Sequence, residues 1–222
     1  MTTDIIQAFA PTGTLRASLN VGNPVLANLD AAGNPFGISI DLAHALGQRL
    51  GVPVDLIVND TAGKSVATVE AGKADIGFFA IDPTRGKDIA FTEAYVLIEG
   101  FYLVREESPI QSNAQVDVST NRVIVGQGSA YDLFLTRHLK QAQILRAASS
   151  QAVVKAFIEE GLEVAAGLPL VDVVDLEREV LRLVDGQGPA VAAGSTSKQA
   201  APRARASDAA SASFARSTFA RS

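Results

Sequence analysis

The residue best suited to bind an anion in this sequence is Arg85, which follows an apolar stretch and a turn. The stretch ADIGFFA (74–80) is typical of a buried strand, and the Ile-Asp-Pro-Thr that follows is typical of a turn. A planar guanidinium offers parallel N–H donors that match the two oxygens of a carboxylate. The pattern therefore predicts an anion contact at Arg85. A solvated charge at the end of a strand is the alternative interpretation.

A second anion-binding pattern lies in VGQGSAYDLF (125–134). The segment from Gly126 to Ala130 stands between a predicted strand and a predicted helix. Backbone N–H groups at a helix N-terminus bind anions, and the helix dipole has the favourable sign. Gly128 permits a close approach of the backbone, and Ser129 can both cap the helix and donate a hydrogen bond. Capping alone explains the pattern equally well.

Composition excludes several classes of function. At 222 residues and 47% hydrophobic residues, the chain can hold one large domain or two small ones. It contains no cysteine, and His44 and His138 are isolated, so we expect no disulfide, metal site or cofactor. The net charge of −5 argues against a general nucleic-acid binder. No apolar run approaches the roughly 20 residues that span a bilayer, so we expect no membrane insertion.

The elements that must position these residues alternate between strand and helix, as in α/β proteins. The predicted strands cover 14–20, 52–59, 74–80, 95–104, 121–126, 143–147 and 162–167, and the predicted helices cover 38–51, 64–72, 129–139 and 150–161, followed by a mixed segment at 172–184. In the first helix Leu42, Leu46 and Leu50 share one face, and Gly51 stands where a left-handed C-cap is expected.

A weak internal repeat predicts the domain organisation. The segments 65–80 and 152–167 each read as a helix followed by a strand, with a glycine at the helix end. This repeat favours two α/β lobes, residues 1–98 and 99–187, with a hinge crossing near 96–104. A cleft between two lobes commonly binds a small ligand. Residues 188–222 are rich in Ala, Ser and Arg, which predicts a disordered low-complexity tail.

Four motifs occur in order along the first half of the chain: APTGTLRASLN, GISIDLAHALGQRLG, AGKADIGFFA and RGKDIAFTEAY. With them the sequence resembles the amino-acid-type bacterial solute-binding proteins, family 3. The resemblance covers 11–104 well and 121–166 more loosely, and it is lost after about 185. It implies a two-lobed, type II periplasmic-binding-protein-like fold that closes on its ligand about a hinge. It also implies binding of a small polar or anionic solute, an amino acid or a small carboxylate, for an ABC-type importer.

The resemblance assigns ligand contacts in the first lobe. Arg85 occupies the place of an arginine that binds the ligand α-carboxylate through two hydrogen bonds. The strand end at Ala80 and Asp82 would present backbone groups to the same ligand. Asn20 and Asn23 follow the first strand, where relatives have polar and aromatic contacts.

The resemblance also assigns the cover of the ligand and the opposing side of the cleft. Gly128, Ser129 and Ala130 would supply the second lobe's contacts. Thr61 stands near the position where many relatives have a stacking aromatic residue. Since a threonine cannot stack, the resemblance implies a smaller ligand or another cover, such as Tyr131. A role for Tyr131 in the core is an equally good interpretation.

One departure from the family bears on the ligand. Where amino-acid binders have an aspartate that holds the ligand ammonium, this chain has Gly167 and Leu168. An ammonium without a carboxylate partner would be costly in a closed cleft. Asp82 or Asp60 could replace the aspartate; otherwise the ligand is a plain carboxylate or another polar anion.

The end of the chain departs from the family as well. Relatives return to the first lobe after the second, and LRLVDGQ (181–187) is where this return should begin. The Ala/Ser/Arg-rich stretch follows instead. We therefore expect the return strand to be missing, and hypothesise that the natural C-terminal segment is lost or frame-shifted.

Solute binding requires no catalysis, so we do not expect an enzyme. Two other functions nevertheless remain open. A lyase similar to cyclohexadienyl dehydratases would use the same cleft, with an acid or base drawn from Asp82, Glu93, Glu99 and Asp132. A cytoplasmic ligand sensor is the third possibility. The resemblance implies the periplasm and possible contact with transporter membrane subunits, whereas the lack of a visible signal peptide leaves the cytoplasm open.

Overall fold

The structure is a computed structural model that describes residues 2–167, 181–184 and 190–198. It contains two larger β-sheets with helices packed against them, which confirms the α/β fold class. The helices described are α1 (Thr3–Phe9), α2 (Ile38–Leu50), α3 (Ala62–Glu70), α4 (Ala130–His138) and α5 (Val153–Glu159), with 3₁₀ turns at Arg85–Lys87 and Asn113–Gln115.

The first sheet builds the first lobe. Its strands are β1 (Leu15–Asn20), β4 (Val54–Asn59), β5 (Ile76–Ala80), β6 (Ile89–Phe91), β7 (Val96–Glu99) and β13 (Ala190–Lys198), beside a small hairpin of β2 (Asn28–Leu29) and β3 (Pro35–Phe36). Strand β1 runs parallel to β4 and to β5. All of β5 is buried, as its apolar sequence predicts, because Phe78 packs in the core beneath α2 and Phe79 in the core beneath α3.

The second sheet builds the second lobe in the same way. Its strands are β8 (Phe101–Arg105), β9 (Arg122–Gly126), β10 (Gln143–Ala147), β11 (Val164–Gly167) and β12 (Leu181–Leu183), in the order β10-β9-β11-β8-β12. Val123 and Val125 pack on the side of α4, and Ile124 packs on the side of α5. This alternation follows from the two-residue period of a strand.

Helix α2 ends as predicted but buries a different face. Gly51 adopts the left-handed conformation with φ 71° and caps the helix. The buried positions include Ile40, Ala43 and Leu50, whereas Leu42 is 38% exposed. The predicted leucine stripe is therefore only partly the face that packs on the sheet.

The extended segment predicted near 96–104 connects the two sheets. Strand β7 belongs to the first sheet, β8 belongs to the second, and Gly100 lies between them. The boundary between residues 98 and 99 stays a prediction. Much of the predicted mixed segment at 172–184 lies outside the described residues, as does Leu168.

The prediction for the end of the chain is wrong for residues 190–198. Instead of a disordered tail they form β13, which pairs antiparallel with β5, β6 and β7 in the first sheet. The chain therefore does return to the first lobe after β12, and the first sheet has the strand that we expected to be missing. Residues 199–222 lie outside the described part of the chain.

Candidate ligand-binding cleft

A cavity of about 650 Å³ lies between the two lobes. Asn20 and Ala80, at the ends of β1 and β5, line one side of it, and Gly126 and Gly167, at the ends of β9 and β11, line the other. The carboxyl ends of parallel strands are the usual ligand-binding edge of open α/β sheets. The topology therefore brings the binding edges of both sheets to one cavity.

Arg85 lines this cavity and connects the lobes. Arg85 lies in the turn after β5, and the residue is only 5% exposed. Nη1 donates a hydrogen bond to the carbonyl of Ala80 at 3.3 Å, and Nη2 donates to the carbonyl of Gly128 in the second lobe at 3.0 Å. Nε makes no hydrogen bond to any residue that the structure describes. Part of the guanidinium's donor capacity is thus left for a ligand.

The electrostatics of Arg85 favour an anion. Burial lowers the pKa of its guanidinium below the usual value, while the negative charges of Asp82 and Glu70 act in the opposite direction. An arginine still stays protonated at neutral pH. Within the described ranges no carboxylate forms an ion pair with it, and a buried charge without such a partner is costly. An anion in the cavity would supply the partner.

The loop before α4 contacts Arg85 from the second lobe. Ser129 is the N-cap, and its Oγ accepts a hydrogen bond from the backbone N–H of Asp132 at 3.1 Å. The Asp132 carboxylate accepts from the N–H of Gly128 at 2.9 Å. The N–H groups of Ala130 and Tyr131 have no partner among the described residues, so they are available to an anion.

Two glycines set the conformation of the turn between β9 and α4. A Cβ on Gly126 would lie 2.8 Å from backbone atoms of Ser150, so only glycine allows the loop before α5 to approach this closely. Gly128 has φ +67°, in the left-handed region that other residues rarely adopt. The close backbone approach is therefore that of Gly126 to Ser150, and the approach to a ligand predicted at Gly128 stays a prediction.

The position of Tyr131 is compatible with both interpretations that the sequence left open. It lines the cavity and also belongs to the core beneath α4. Burial raises the pKa of its hydroxyl to about 12, so the side chain stays neutral and can donate a hydrogen bond at physiological pH.

The structure brings together most of the predicted contact residues. Seven of the ten line the cavity: Asn20, Asn23, Ala80, Arg85, Ser129, Ala130 and Tyr131. The other three, Thr61, Asp82 and Gly128, do not line it. Thr61 caps α3, with its Oγ1 accepting from the N–H of Lys64 at 3.4 Å, and Gly128 turns its carbonyl to Arg85.

Asp82 does not line the cavity, and its side chain is engaged by residues of both lobes. Its Oδ2 accepts a hydrogen bond from Arg137 Nη2 at 2.7 Å, and its Oδ1 accepts from the N–H of Thr84 at 2.8 Å. Burial by itself would raise the pKa of Asp82, but these hydrogen bonds and the charge of Arg137 outweigh it and hold the pKa below the usual value. Asp60 pairs with Lys64 at 2.7 Å instead of reaching the cavity. Neither carboxylate lines the cavity.

The charged groups on the cavity wall are basic. Arg85 and Lys155 line it, and no acidic side chain does so among the described residues. Lys155 lies at the exposed rim, 3.8 Å from Glu159, where water screens its charge. The wall therefore presents a buried positive charge at Arg85.

Sequence reasoning missed several polar residues of the cavity. Ser39 at the start of α2, and Ser150 and Gln151 before α5, line it too. Gln151 Nε2 also donates to the carbonyl of Val21 across the cleft at 3.4 Å. The sequence did contain a signal for Ser150 and Gln151, because they follow β10 as Ser129 follows β9. The two strands run parallel, so their carboxyl ends lie at the same edge of the sheet.

None of the four acid or base candidates lines the cavity. Asp82 is paired with Arg137 as described above. Asp132 is buried and holds Arg146 Nε at 2.9 Å. Glu93 and Glu99 are exposed outside the cavity.

The family to which this chain belongs follows from its sequence. The sequence model of the bacterial extracellular solute-binding proteins, family 3, matches residues 15–211. The chain belongs to this family. The match extends beyond residue 185, where we expected the resemblance to end, and it includes β13. The cleft described above is thus that of a family 3 solute-binding protein.

Solved structures confirm the two-lobed, type II periplasmic-binding-protein-like fold. The holo form of ArgBP from T. maritima has a TM-score of 0.71 at 19% identity, covering 89% of this chain and 87% of that one. The cysteine-binding protein of Campylobacter jejuni has a TM-score of 0.72 at 18% identity, and the match covers 88% of this chain and 80% of that one. AncCDT-1 is an ancestral amino acid-binding protein and a precursor of cyclohexadienyl dehydratase. Its TM-score is 0.71 at 22% identity, and the match covers 88% of this chain and 86% of that one.

The search of curated proteins finds no match. Among the helices of the described residues, none has the length and apolar character needed to cross a membrane.

Proposed function

We propose that this family 3 protein binds a small anionic solute, an amino acid or a small carboxylate, in the cleft between its lobes. The carrying observation is the environment of Arg85. Its guanidinium is buried at the cavity wall, forms no ion pair with the described carboxylates and donates a hydrogen bond to the carbonyl of Gly128, in the loop before α4. A carboxylate placed there would accept from the guanidinium and from the N–H groups of Ala130 and Tyr131.

The charge of the wall bears on the rest of the ligand. An α-amino acid would bring an ammonium group, and the described lining offers that group side-chain oxygens of Asn20, Asn23 and Ser39 but no carboxylate. Neutral acceptors compensate a buried ammonium less well than a carboxylate does. We therefore include carboxylates without an amino group as ligand candidates on equal terms with amino acids.

The transport role rests on the family. We propose that the loaded protein delivers its solute to the membrane subunits of an ABC-type importer outside the cytoplasm, the compartment in the family's description. A sensor would use the same binding event with another partner. Fractionation of cells that express the native protein separates these roles, since a protein retained in the cytoplasm cannot serve an importer from outside.

A lyase remains the alternative function, because a structural neighbour is a precursor of cyclohexadienyl dehydratase. Acid–base catalysis needs a titratable group within reach of the substrate. The four candidate carboxylates lie outside the cavity, which favours binding without turnover. Incubation of the purified protein with prephenate or arogenate tests this: formation of an aromatic product would establish the lyase.

A thermal-shift screen tests the binding function. The panel holds the twenty common amino acids together with acetate, lactate and succinate. A ligand that binds only the native state raises the melting temperature by mass action, and a concentration of 100 Kd adds about 2.7 kcal/mol. We expect at least one panel member to stabilise the wild type and to leave Arg85→Ala unchanged. A panel that stabilises neither protein, or both equally, contradicts the proposed site.

A further inference from the structure

An ion pair joins the two lobes beside the cleft without taking part in its wall. Asp82 lies in the turn after β5, and Arg137 lies in the last turn of α4. Arg137 Nη2 is 2.7 Å from Asp82 Oδ2. Other ion pairs, such as Arg16–Asp75, lie within one lobe.

The two partners are unequally buried. The Asp82 side chain is 5% exposed, while that of Arg137 is 38% exposed. If Arg137 is removed, the Asp82 carboxylate stays buried without a charged partner, and the N–H of Thr84 still donates to it at 2.8 Å. An uncompensated buried charge is strongly unfavourable, whereas an exposed charge is not. The pair therefore favours the arrangement in which the lobes touch.

The ion pair is accompanied by two weaker contacts across the cleft. These are the hydrogen bonds from Arg85 to Gly128 and from Gln151 to the carbonyl of Val21. Arg85 and Gln151 both line the cavity, so a ligand competes for their donors. Neither Asp82 nor Arg137 lines the cavity, so their contact persists when a ligand enters.

We propose that Asp82 and Arg137 form an interlobe latch that sets the ligand affinity of the cleft by stabilising the closed arrangement. The closed arrangement is the one in which Asp82 and Arg137 are in contact. The proposal rests on the proposed function, since it concerns the affinity of the same cleft. The apparent Kd of a protein that binds only when closed is the intrinsic Kd divided by the closed fraction. Weakening the latch lowers that fraction and leaves every ligand contact in place.

Two conservative variants test the latch. Arg137→Gln removes the positive charge and keeps much of the side-chain length, and Asp82→Asn keeps an oxygen for the N–H of Thr84. Affinity is measured by calorimetry with the amino acid or carboxylate of the panel that gives the largest thermal shift. We expect the Kd to rise on the order of tenfold in each variant, with little further increase in the double variant, because both changes break one interaction.

Small-angle scattering of the ligand-free protein supplies a readout that does not depend on ligand contacts. Without ligand, the radius of gyration of both variants should exceed that of the wild type, and saturating ligand should remove the difference. Arg122→Gln is the control, because Arg122 pairs with Glu163 inside the second lobe. Arg137→Lys, which keeps the charge, should restore most of the affinity.

The outcomes separate the latch from the proposed function. A wild type that binds no panel member contradicts the proposed function, and scattering of the free variants still tests the latch. A wild type that binds, together with folded variants whose Kd and radius of gyration both match it, overturns the latch. Asp82→Asn leaves the charge of Arg137 unpaired at a partly exposed position, so this variant is expected to fold even if Arg137→Gln, which leaves a buried carboxylate unpaired, does not.

Discussion

Arg85 and Gly128 form a hydrogen bond that crosses the cleft, from Nη2 to the backbone carbonyl at 3.0 Å. It connects the turn after β5 with the loop before α4, which are 43 residues apart in the sequence. The bond places a buried cation beside a helix N-terminus, two features that each favour negative charge. The relationship between these two residues is the basis of the binding proposal.

Replacement of Arg85 should abolish most ligand binding. In Arg85→Ala a bound carboxylate would lose its charged partner inside the cleft, which costs about 2–5 kcal/mol. Calorimetry with the strongest panel ligand should show a Kd raised by well over tenfold. Lys87→Ala is the matched control, since Lys87 lies in the same 3₁₀ turn and is exposed. Equal affinity of the Arg85 variant and the wild type would remove this residue from the site.

A side chain at Gly128 should destabilise the loop before α4. Gly128→Ala forces an L-residue to adopt φ +67°, at a cost of about 1–2 kcal/mol, and places a Cβ 3.6 Å from Gly63 Cα in the other lobe. Gly63→Ala is the control, because its Cβ meets nothing within 4 Å, and we expect unchanged or slightly higher stability. Urea unfolding measures both. Equal midpoints for the two variants would show that the loop relaxes without strain.

Acid should weaken the protein partly through Asp82. The pKa of this carboxyl is lower in the folded than in the unfolded chain, so the folded state binds fewer protons. The contribution of Asp82 to the free energy of unfolding is present above its pKa in the unfolded chain, about 4. This contribution is lost as the pH falls through its lower pKa in the folded chain. Urea midpoints at pH 7 and pH 3 should therefore differ less in Asp82→Asn than in the wild type. The same difference in both proteins would argue against this contribution.

Proline in β13 should disrupt the first sheet. Thr196 pairs with Gly77 of β5 on one side and Phe91 of β6 on the other, so it occupies an interior strand. Thr196→Pro removes a backbone N–H from this ladder and should cost several kcal/mol, on the order of 3. Thr196→Val keeps the N–H and should be tolerated much better. A proline variant as stable as the valine variant would contradict the observed pairing.

Local patterns predicted the elements that carry strong local signals. The continuous apolar run of β5 and the glycine stop after α2 are examples, and both reflect short-range rules. Strand β13 escaped prediction because AVAAGSTSK has few large apolar residues. Its pairing with three strands of the first lobe is a long-range property that composition does not encode.

The candidate site was predictable in part for the same reason. Arg85 and Ser129 carry local signals, a cation after a strand and a cap before a helix. The partner of Asp82 does not, because Arg137 is 55 residues away in the other lobe. A carboxylate next to a predicted site reads as a ligand contact until the fold shows which charge it meets.

The most direct measurement is a crystal structure of the wild type with the panel ligand that gives the largest thermal shift. We predict the ligand carboxylate within hydrogen-bond distance, about 3 Å, of both the Arg85 guanidinium and the N–H groups at the start of α4. A carboxylate that lies elsewhere, or that contacts only one lobe, would contradict the account.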